Sequence, residues 1–357
     1  MKATWMGMMI LMAATRSYGE QDILPRPPKP GRAANALASL LADTRVGEPQ
    51  HNRSLTVFPL FTGNRAQSGY WTLDQALAKG VMRISERGHG SVPALLVENQ
   101  TDEPIFLMAG EIVTGGKQNR AISQDILLAP RSGSISLGVF CVEQGRWTSQ
   151  RSYFSAEKDC ANNALRQRIG AGMYSQSEVW RDVAAKSAAV APGVANETHY
   201  LGKIYEADGV KRDLDDYTKA IVWTEDANGM AVMIGGRVVG VEIFGDSETF
   251  TKLRDKLLRS YAVDAIEFSA VEKPSAGREV VERFLQNARA AQLTPKTTIG
   301  IGRLFGVEGR SVYGSMLVWP EQRGAHGVVH ASLFEDSRGD SRPPVVPMPR
   351  PLPRYQD

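Results

Sequence analysis

Between about Asn52 and Gly145 the apolar positions come in short runs, Leu55 to Phe61, Val92 to Val97, Ile105 to Met108, Asp125 to Leu128 and Ile135 to Glu143. Gly, Pro and Asn separate them, and runs of that length with those breaks predict strands. One helix is predicted over Thr72 to Lys79, where Thr72 with Gln75 three residues on forms a capping box. From about Ala156 to Ala220 the spacing turns helical, with Val179, Val183 and Ala184 on one face and a second segment from Leu214 to Ile221. A meander follows: Ile221 to Thr224, Met230 to Ile234 and Arg237 to Phe244, separated by Asn228-Gly229 and Gly235-Gly236, pairs that tolerate the positive φ of tight hairpins. Phe250, Leu253, Leu257 and Tyr261 predict a helix from about Ser247, and Val280, Phe284 and Ala288 another from about Ser275. The last strands are expected over Thr297 to Val307, Ser311 to Trp319 and Val328 to Phe334. The fold class is therefore α+β, with no βαβ alternation to support a parallel sheet. Its N-terminal half is an antiparallel β sandwich or barrel, its middle is helical, and its C-terminal half is a β-meander with amphipathic helices.

The ends read differently. Lys2, an apolar stretch from Ala3 to Ala14 and Ser17-Tyr18-Gly19 follow the grammar of a secretory signal cleaved after Gly19. The apolar stretch is too short to span a bilayer, which takes roughly 20 residues. A secreted or periplasmic mature chain with no membrane span is the expectation. Residues 20–50 hold Pro25, Pro27, Pro28 and Pro30 and read as a linker, with helix-like residues at 33–42. Residues 51–336 form the main domain, strand-rich over 51–150, helical over 156–220 and α+β over 221–336. The tail from Ser337 to Asp357 has six prolines and four arginines in twenty-one residues, which cannot assemble a core and suits a disordered segment or a ligand for a protein partner.

Composition narrows the chemistry. The chain has 357 residues, 42% of them hydrophobic, enough for a sizeable core. Lys and Arg number 42 against 39 Asp and Glu, a balance with no electrostatic footprint for nucleic acid. Two cysteines, Cys141 and Cys160, exclude a four-cysteine zinc site. Export permits a bridge between them, while the apolar run around Cys141 suits a buried free thiol. The five histidines show no metal-ligand spacing, so no metal and no cofactor are expected. Gly110 to Lys117 fails as a phosphate loop, because Gly116 stands where the lysine belongs and Gln118 follows Lys117. Gly300, Gly302 and Gly306 lead to another strand, not to a helix that could hold a pyrophosphate.

Two dense polar segments remain, Gly110 to Arg120 and Cys141 to Trp147. Charges beside strand ends and Gly-Gly turns are costly to order unless paired or used. The spacing Gly-Glu, Gly-Gly-x-Gln-Asn-Arg and Cys-Val-Glu-x-Gly-Arg-Trp, followed by the Gly-Gly hairpin and Val-Gly-Val-Glu-Ile-Phe, resembles the ARG and rhodanese-phosphatase-superfamily-associated protein domain from about Asn52 to Phe334. The pattern matches at Glu111, Gly115, Gly116, Gln118, Asn119, Arg120, Cys141, Glu143, Arg146 and Trp147. The resemblance implies no established activity; the family's name implies gene-neighbourhood links to ADP-ribosylglycohydrolases and phosphatases. The export signal and proline tail depart from that pattern.

Three readings of these residues compete. Glu111, Arg120, Glu143 and Arg146 could tie two loops together as a structural network. A binding module would grip the phosphate or carboxylate of a small anionic ligand with Arg120 and Arg146, hydrogen-bond it with Gln118 and Asn119, and stack it on Trp147, while Gly115, Gly116 and Gly145 shape the loops. A hydrolase acting on a sugar or nucleotide-sugar bond would use Glu111 and Glu143 as general acid and base. The loops are expected to converge, with Arg120 meeting Glu143 or Glu111 meeting Arg146. The export reading has a direct check: intact-mass analysis of protein recovered from producing cells should find a chain beginning after Gly19, and a cytoplasmic form retaining Met1 would refute it.

Overall fold

The computed structural model describes residues 30–63, 69–88, 90–145, 153–171, 175–195, 199–268, 277–319 and 327–336. The proposed signal segment and the Pro/Arg tail lie outside them. The largest sheet has nine strands, in the order Arg45–Val46, Leu55–Phe61, Gly229–Ile234, Arg237–Phe244, Val328–Glu335, Val312–Val318, Arg303–Glu308 and Gln292–Lys296, with Gln50–Asn52 also on Leu55–Phe61. Neighbours are antiparallel throughout. Its central strands are buried on both faces, which is why they read as nearly unbroken apolar runs. Period-two alternation puts Phe58, Met233, Val241 and Leu333 on one face, beneath the helices Pro30–Asp43 and Arg278–Ala288. Val57, Val232 and Phe244 face the other way, toward the helix Ser247–Ala265.

A six-stranded antiparallel sheet follows the order Ser155–Cys160, Glu111–Thr114, Arg120–Ile122, Gly133–Cys141, Ala94–Asn99 and Met82–Glu86. With the three strands Ile126–Leu128, Ile105–Leu107 and Trp71–Thr72 it makes a half-barrel. Trp71–Thr72 and Ile105–Phe106 are the parallel pair among the described strands. The short helix Leu73–Ala78 carries the capping box that Thr72 and Gln75 predict. Phe106, Met108, Ile112 and Leu127 from this half share one cluster with Phe244 and Leu317 from the large sheet and Leu258 from the helix Ser247–Ala265. The two halves bury a common core.

Several segments differ from the sequence reading. The helix-like residues 33–42 do lie in a helix, Pro30–Asp43, but not in a solvated linker: its Leu37, Leu40 and Leu41 recur at helical spacing and are fully buried. Ser155–Cys160, expected at the start of the helical region, is a strand, because Glu111–Thr114 presents an edge for it to pair with. Helices then occupy Asn163–Ala171, Gln176–Val190, Leu201–Glu206 and Asp208–Lys219. The hairpin at Gly235-Gly236 forms, with φ of 58° and 82°. The one expected at Asn228-Gly229 does not: Gly229 lies inside a strand between Leu60 and Ile243. Ile221 to Thr224 is not a strand, since the sheet position beside Gly229–Ile234 is taken by Leu55–Phe61.

Cys141 and Cys160 are free, buried thiols. They lie on Gly133–Cys141 and Ser155–Cys160, three strand spacings apart in the sheet order, about 14 Å at about 4.8 Å per spacing. A disulfide needs Cα atoms within about 7 Å, so the sheet order excludes the bridge.

The helix Ser247–Ala265 starts from an Asp246 cap whose Oδ1 accepts the Thr249 N–H at 2.7 Å. It carries Lys256, Arg259 and Asp264 on buried faces. Each has a partner from another element: Asp74 and Glu111 for Lys256, Asp159 for Arg259, Lys186 for Asp264. Truncating the N-terminal helix tests whether it belongs to the core. Leu40→Ala should cost about 2–5 kcal/mol in denaturant unfolding, whereas a loss below about 0.5 kcal/mol, usual for a surface change, would mean the helix is not part of the cooperative unit.

Candidate functional site

The two polar segments meet. The hairpin that joins Glu111–Thr114 to Arg120–Ile122 turns through Gly115 and Gly116, with φ of 140° and 51°. A Cβ on Gly115 would sit 2.4 Å from the Tyr153 carbonyl oxygen, so the approach requires glycine. Gly115 N–H donates to Asn119 Oδ1 at 3.1 Å, and Lys117 N–H donates to Glu86 Oε1 at 2.8 Å. The second segment docks on this hairpin. Gln118 Nε2 donates to the Glu143 carbonyl at 3.1 Å, and the Asn119 backbone N–H donates to Glu143 Oε2 at 3.2 Å. The Gln118 Oε1 atom is buried and accepts no hydrogen bond from the described residues.

Arg120 is fully buried in its strand, with Val113 opposite it on one side and Cys141 on the other. The backbone of Cys141 is clamped by one side-chain amide: its N–H donates to Gln176 Oε1 at 2.8 Å and its C=O accepts from Gln176 Nε2 at 2.7 Å. Burial pushes the Cys141 thiol above its usual range and the Cys160 thiol up to about 11. Neither is an activated nucleophile. Gly145 adopts φ 91° at the end of the second segment. Arg146 and Trp147 lie outside the described residues.

Glu111 sits elsewhere. Its Oε2 accepts from the Met108 N–H at 2.8 Å, and its Oε1 meets Lys256 Nζ at 3.1 Å. The same ammonium reaches both oxygens of Asp74 at 2.8 Å. Burial raises the Glu111 pKa, opposed by Lys256. The pairings Val113 with Arg120 and Arg120 with Cys141 fix the register. They put Glu111 and Glu143 two strand spacings apart across the sheet and about four residues apart along it, on the order of 16 Å.

The most complete polar arrangement is one that the motif reading passed over. Ala109 N–H donates to Asp125 Oδ1 at 2.8 Å; His330 Nδ1 donates to Asp125 Oδ2 at 2.7 Å and Nε2 to Glu242 Oε2 at 2.9 Å. Arg166 Nη1 and Tyr261 Oη each donate to Glu242 Oε1 at 2.7 Å, and Arg166 Nε returns to the Ala109 carbonyl at 3.3 Å. The circuit closes on itself, and its four charged side chains are 0–2% exposed. His330 also stacks on Phe244 with ring centroids 4.3 Å apart. Burial opposes the charged imidazole, but the carboxylates of Asp125 and Glu242 outweigh it and raise its pKa to about 9. Burial likewise opposes the Glu242 carboxylate, and Arg166 with His330 outweighs it, bringing the pKa to about 2. A signal was available: Glu242 and His330 are lone polar residues within apolar strand runs. Nothing in that pattern named their partners.

Among the described residues no group of three His, Cys, Asp or Glu is placed to hold a metal ion. None of their helices is long and apolar enough to cross a membrane. The model of the ARG and Rhodanese-Phosphatase-superfamily-associated Protein domain matches residues 43–334. No curated protein and no solved structure matches the chain.

The circuit predicts a pH dependence. Because the His330 pKa is raised from 6.5 to about 9, its contribution is complete below pH 6.5 and is lost as pH rises through 9, on the order of 3 kcal/mol in all. Denaturation midpoints should fall across that window, and His330→Gln should lower stability while flattening the fall. An unchanged slope in the variant would contradict a charged His330.

Proposed function

The chain belongs to the ARG and Rhodanese-Phosphatase-superfamily-associated Protein domain family, and on that premise we propose that it is an exported, non-catalytic binding module. Its site is the junction of the loops at 115–120 and 141–145, and its ligand is small and bears a phosphate or carboxylate. The observation that carries this reading is the convergence of the loops through Gln118, Asn119 and Glu143. At that junction Gln118 keeps a buried acceptor with no donor among the described residues, and buried polar atoms are rarely left so. Arg146 supplies the charge for the anionic group, buried Arg120 adds positive potential from within its strand, and Trp147 offers a face for a ring.

The hydrolase alternative would rest on Glu111 and Glu143. A paired-carboxylate mechanism on a glycosidic bond works with the carboxyl groups about 5–9.5 Å apart. The register separation and the engagement of Glu111 with Lys256 weigh against it.

ADP-ribose is a suitable probe, because it offers phosphates, ribose hydroxyls and an adenine ring together. Thermal unfolding of the full chain with ADP-ribose at 100 times its dissociation constant should gain about 2.7 kcal/mol. Gln118→Ala should lose that response while keeping its own stability within about 1–2 kcal/mol. No response to ADP-ribose, inorganic phosphate or a sugar phosphate would overturn the binding reading, and turnover of ADP-ribose abolished by Glu111→Gln would favour the hydrolase.

A further inference from the structure

The strand Gln292–Lys296 pairs antiparallel with Arg303–Glu308, with Lys296 opposite Leu304. A Cβ on Gly306 would lie 2.9 Å from Lys296 Cε. The bare backbone at Gly306 therefore lets the lysine stem lie back across the neighbouring strand. That path brings Nζ beneath the C-terminal end of the helix Asn163–Ala171, where it donates to the Gly170 carbonyl at 2.8 Å. A cation is favoured at that end of a helix.

Lys296 also lines a cavity of about 270 Å³. Its other polar walls are Ser123, Gln124 and Ser315, and Ile169 and Leu304 supply apolar surface. The hydrogen-bonding capacity of these groups is only partly used. An ammonium has three donors, and the Gly170 carbonyl takes one. Gln124 Nε2 donates to the Thr297 carbonyl at 3.1 Å, which leaves its second N–H and its Oε1. Ser123 Oγ donates to the Gly138 carbonyl at 2.8 Å and retains its lone pairs as acceptors. The charge on Lys296 is unbalanced as well: burial alone moves its pKa, downward, and no carboxylate among the described residues counters it. Four more deeply buried cations, Lys186, Lys256, Arg166 and Arg259, each have an acid beside them. Lys296 has a cavity instead.

We propose that this cavity is a binding site for a small monocarboxylate that also carries a hydroxyl or amide group. Lys296 and Ser315 hold the carboxylate, and Gln124 and Ser123 take the neutral polar group. One ammonium, already partly countered by a helix C-terminus, matches a single negative charge. A phosphate dianion is better met by the bidentate fork of arginine, and none lines the cavity. The volume lies just below the roughly 300–1,000 Å³ typical of drug-sized ligands, which suits a molecule of few heavy atoms.

Site-resolved acetylation by an N-hydroxysuccinimide ester, read by peptide mass spectrometry on the full chain, tests this with lactate and N-acetylglycine as probes and inorganic phosphate as the comparator. A carboxylate probe should slow modification of Lys296 at least fivefold and leave the exposed Lys211 and Lys219 unchanged. In calorimetry Lys296→Met should abolish binding. Ser315→Ala should weaken it about tenfold, the low end for a hydrogen bond to a charged group. Gln118→Ala should leave it intact, separating this cavity from the loop junction. The proposal is overturned if neither probe protects Lys296, if phosphate protects it equally well, or if both cavity variants bind as the native chain does. The protection arm uses the native protein, so it decides the matter even if Lys296→Met fails to fold.

Discussion

Four charges that cannot leave the interior hold this fold in register. Asp125, His330, Glu242 and Arg166 alternate in sign and are joined end to end, and the Ala109 backbone closes the circuit. Each group alone would carry a desolvation penalty of several kcal/mol, and only the neighbours on both sides offset it. The elements that supply them come from all parts of the chain: the half-barrel gives Ala109 and Asp125, the large sheet gives Glu242 and His330, and a middle helix gives Arg166. A one-residue slip of the strand that carries Glu242 or of the one that carries His330 would turn that side chain to the opposite face. The network therefore specifies how the halves meet more than it adds net stability, since a buried ion pair often roughly breaks even against apolar packing.

This arrangement bears on where chemistry can occur. The circuit is sealed, and Phe244 covers the imidazole. Its strongly shifted groups titrate but touch no solvent, so a perturbed pKa here marks structure, not catalysis. Glu111 is committed in the same way to Lys256. The loop junction differs in kind, for there the Asn119 backbone N–H and the Gln118 side-chain amide converge on Glu143 and leave the Gln118 acceptor over.

Much of the architecture was legible because local patterns and global packing agree. The strands Leu55–Phe61 and Arg237–Phe244, the Thr72 cap and the helix from Ser247 all carry strong local signals. The failures have a common cause. Ser155–Cys160 becomes a strand only because Glu111–Thr114 offers an edge, and Asn228-Gly229 loses its turn only because Leu55–Phe61 claims the neighbouring sheet position. Both are decided by partners more than 40 residues away in sequence. The candidate loops were visible as charges crowded beside Gly-Gly and strand ends. Glu242 and His330 were visible only as isolated polar residues, because a residue's burial can be guessed from its neighbours whereas its partner cannot.

The cavity at Lys296 belongs to the class that sequence patterns cannot reveal, since Gly306, Gly170 and Ser123 become neighbours of that lysine only through the strand pairing and the packing of a helix end. Its significance comes from comparison within the molecule. The fold places charged groups inside repeatedly, and at Lys186, Lys256, Arg166 and Arg259 it supplies the opposite charge from a distant element. A sequence able to meet that demand four times has the means to place an acid near Lys296, yet Ser123, Gln124 and Ser315 line the space in its stead. Neutral donors and acceptors around one cation leave room for an external anion, whereas a built-in carboxylate would compete with it. The contrast between compensated and uncompensated cations thus separates the groups that fix the fold from the group left to meet a ligand.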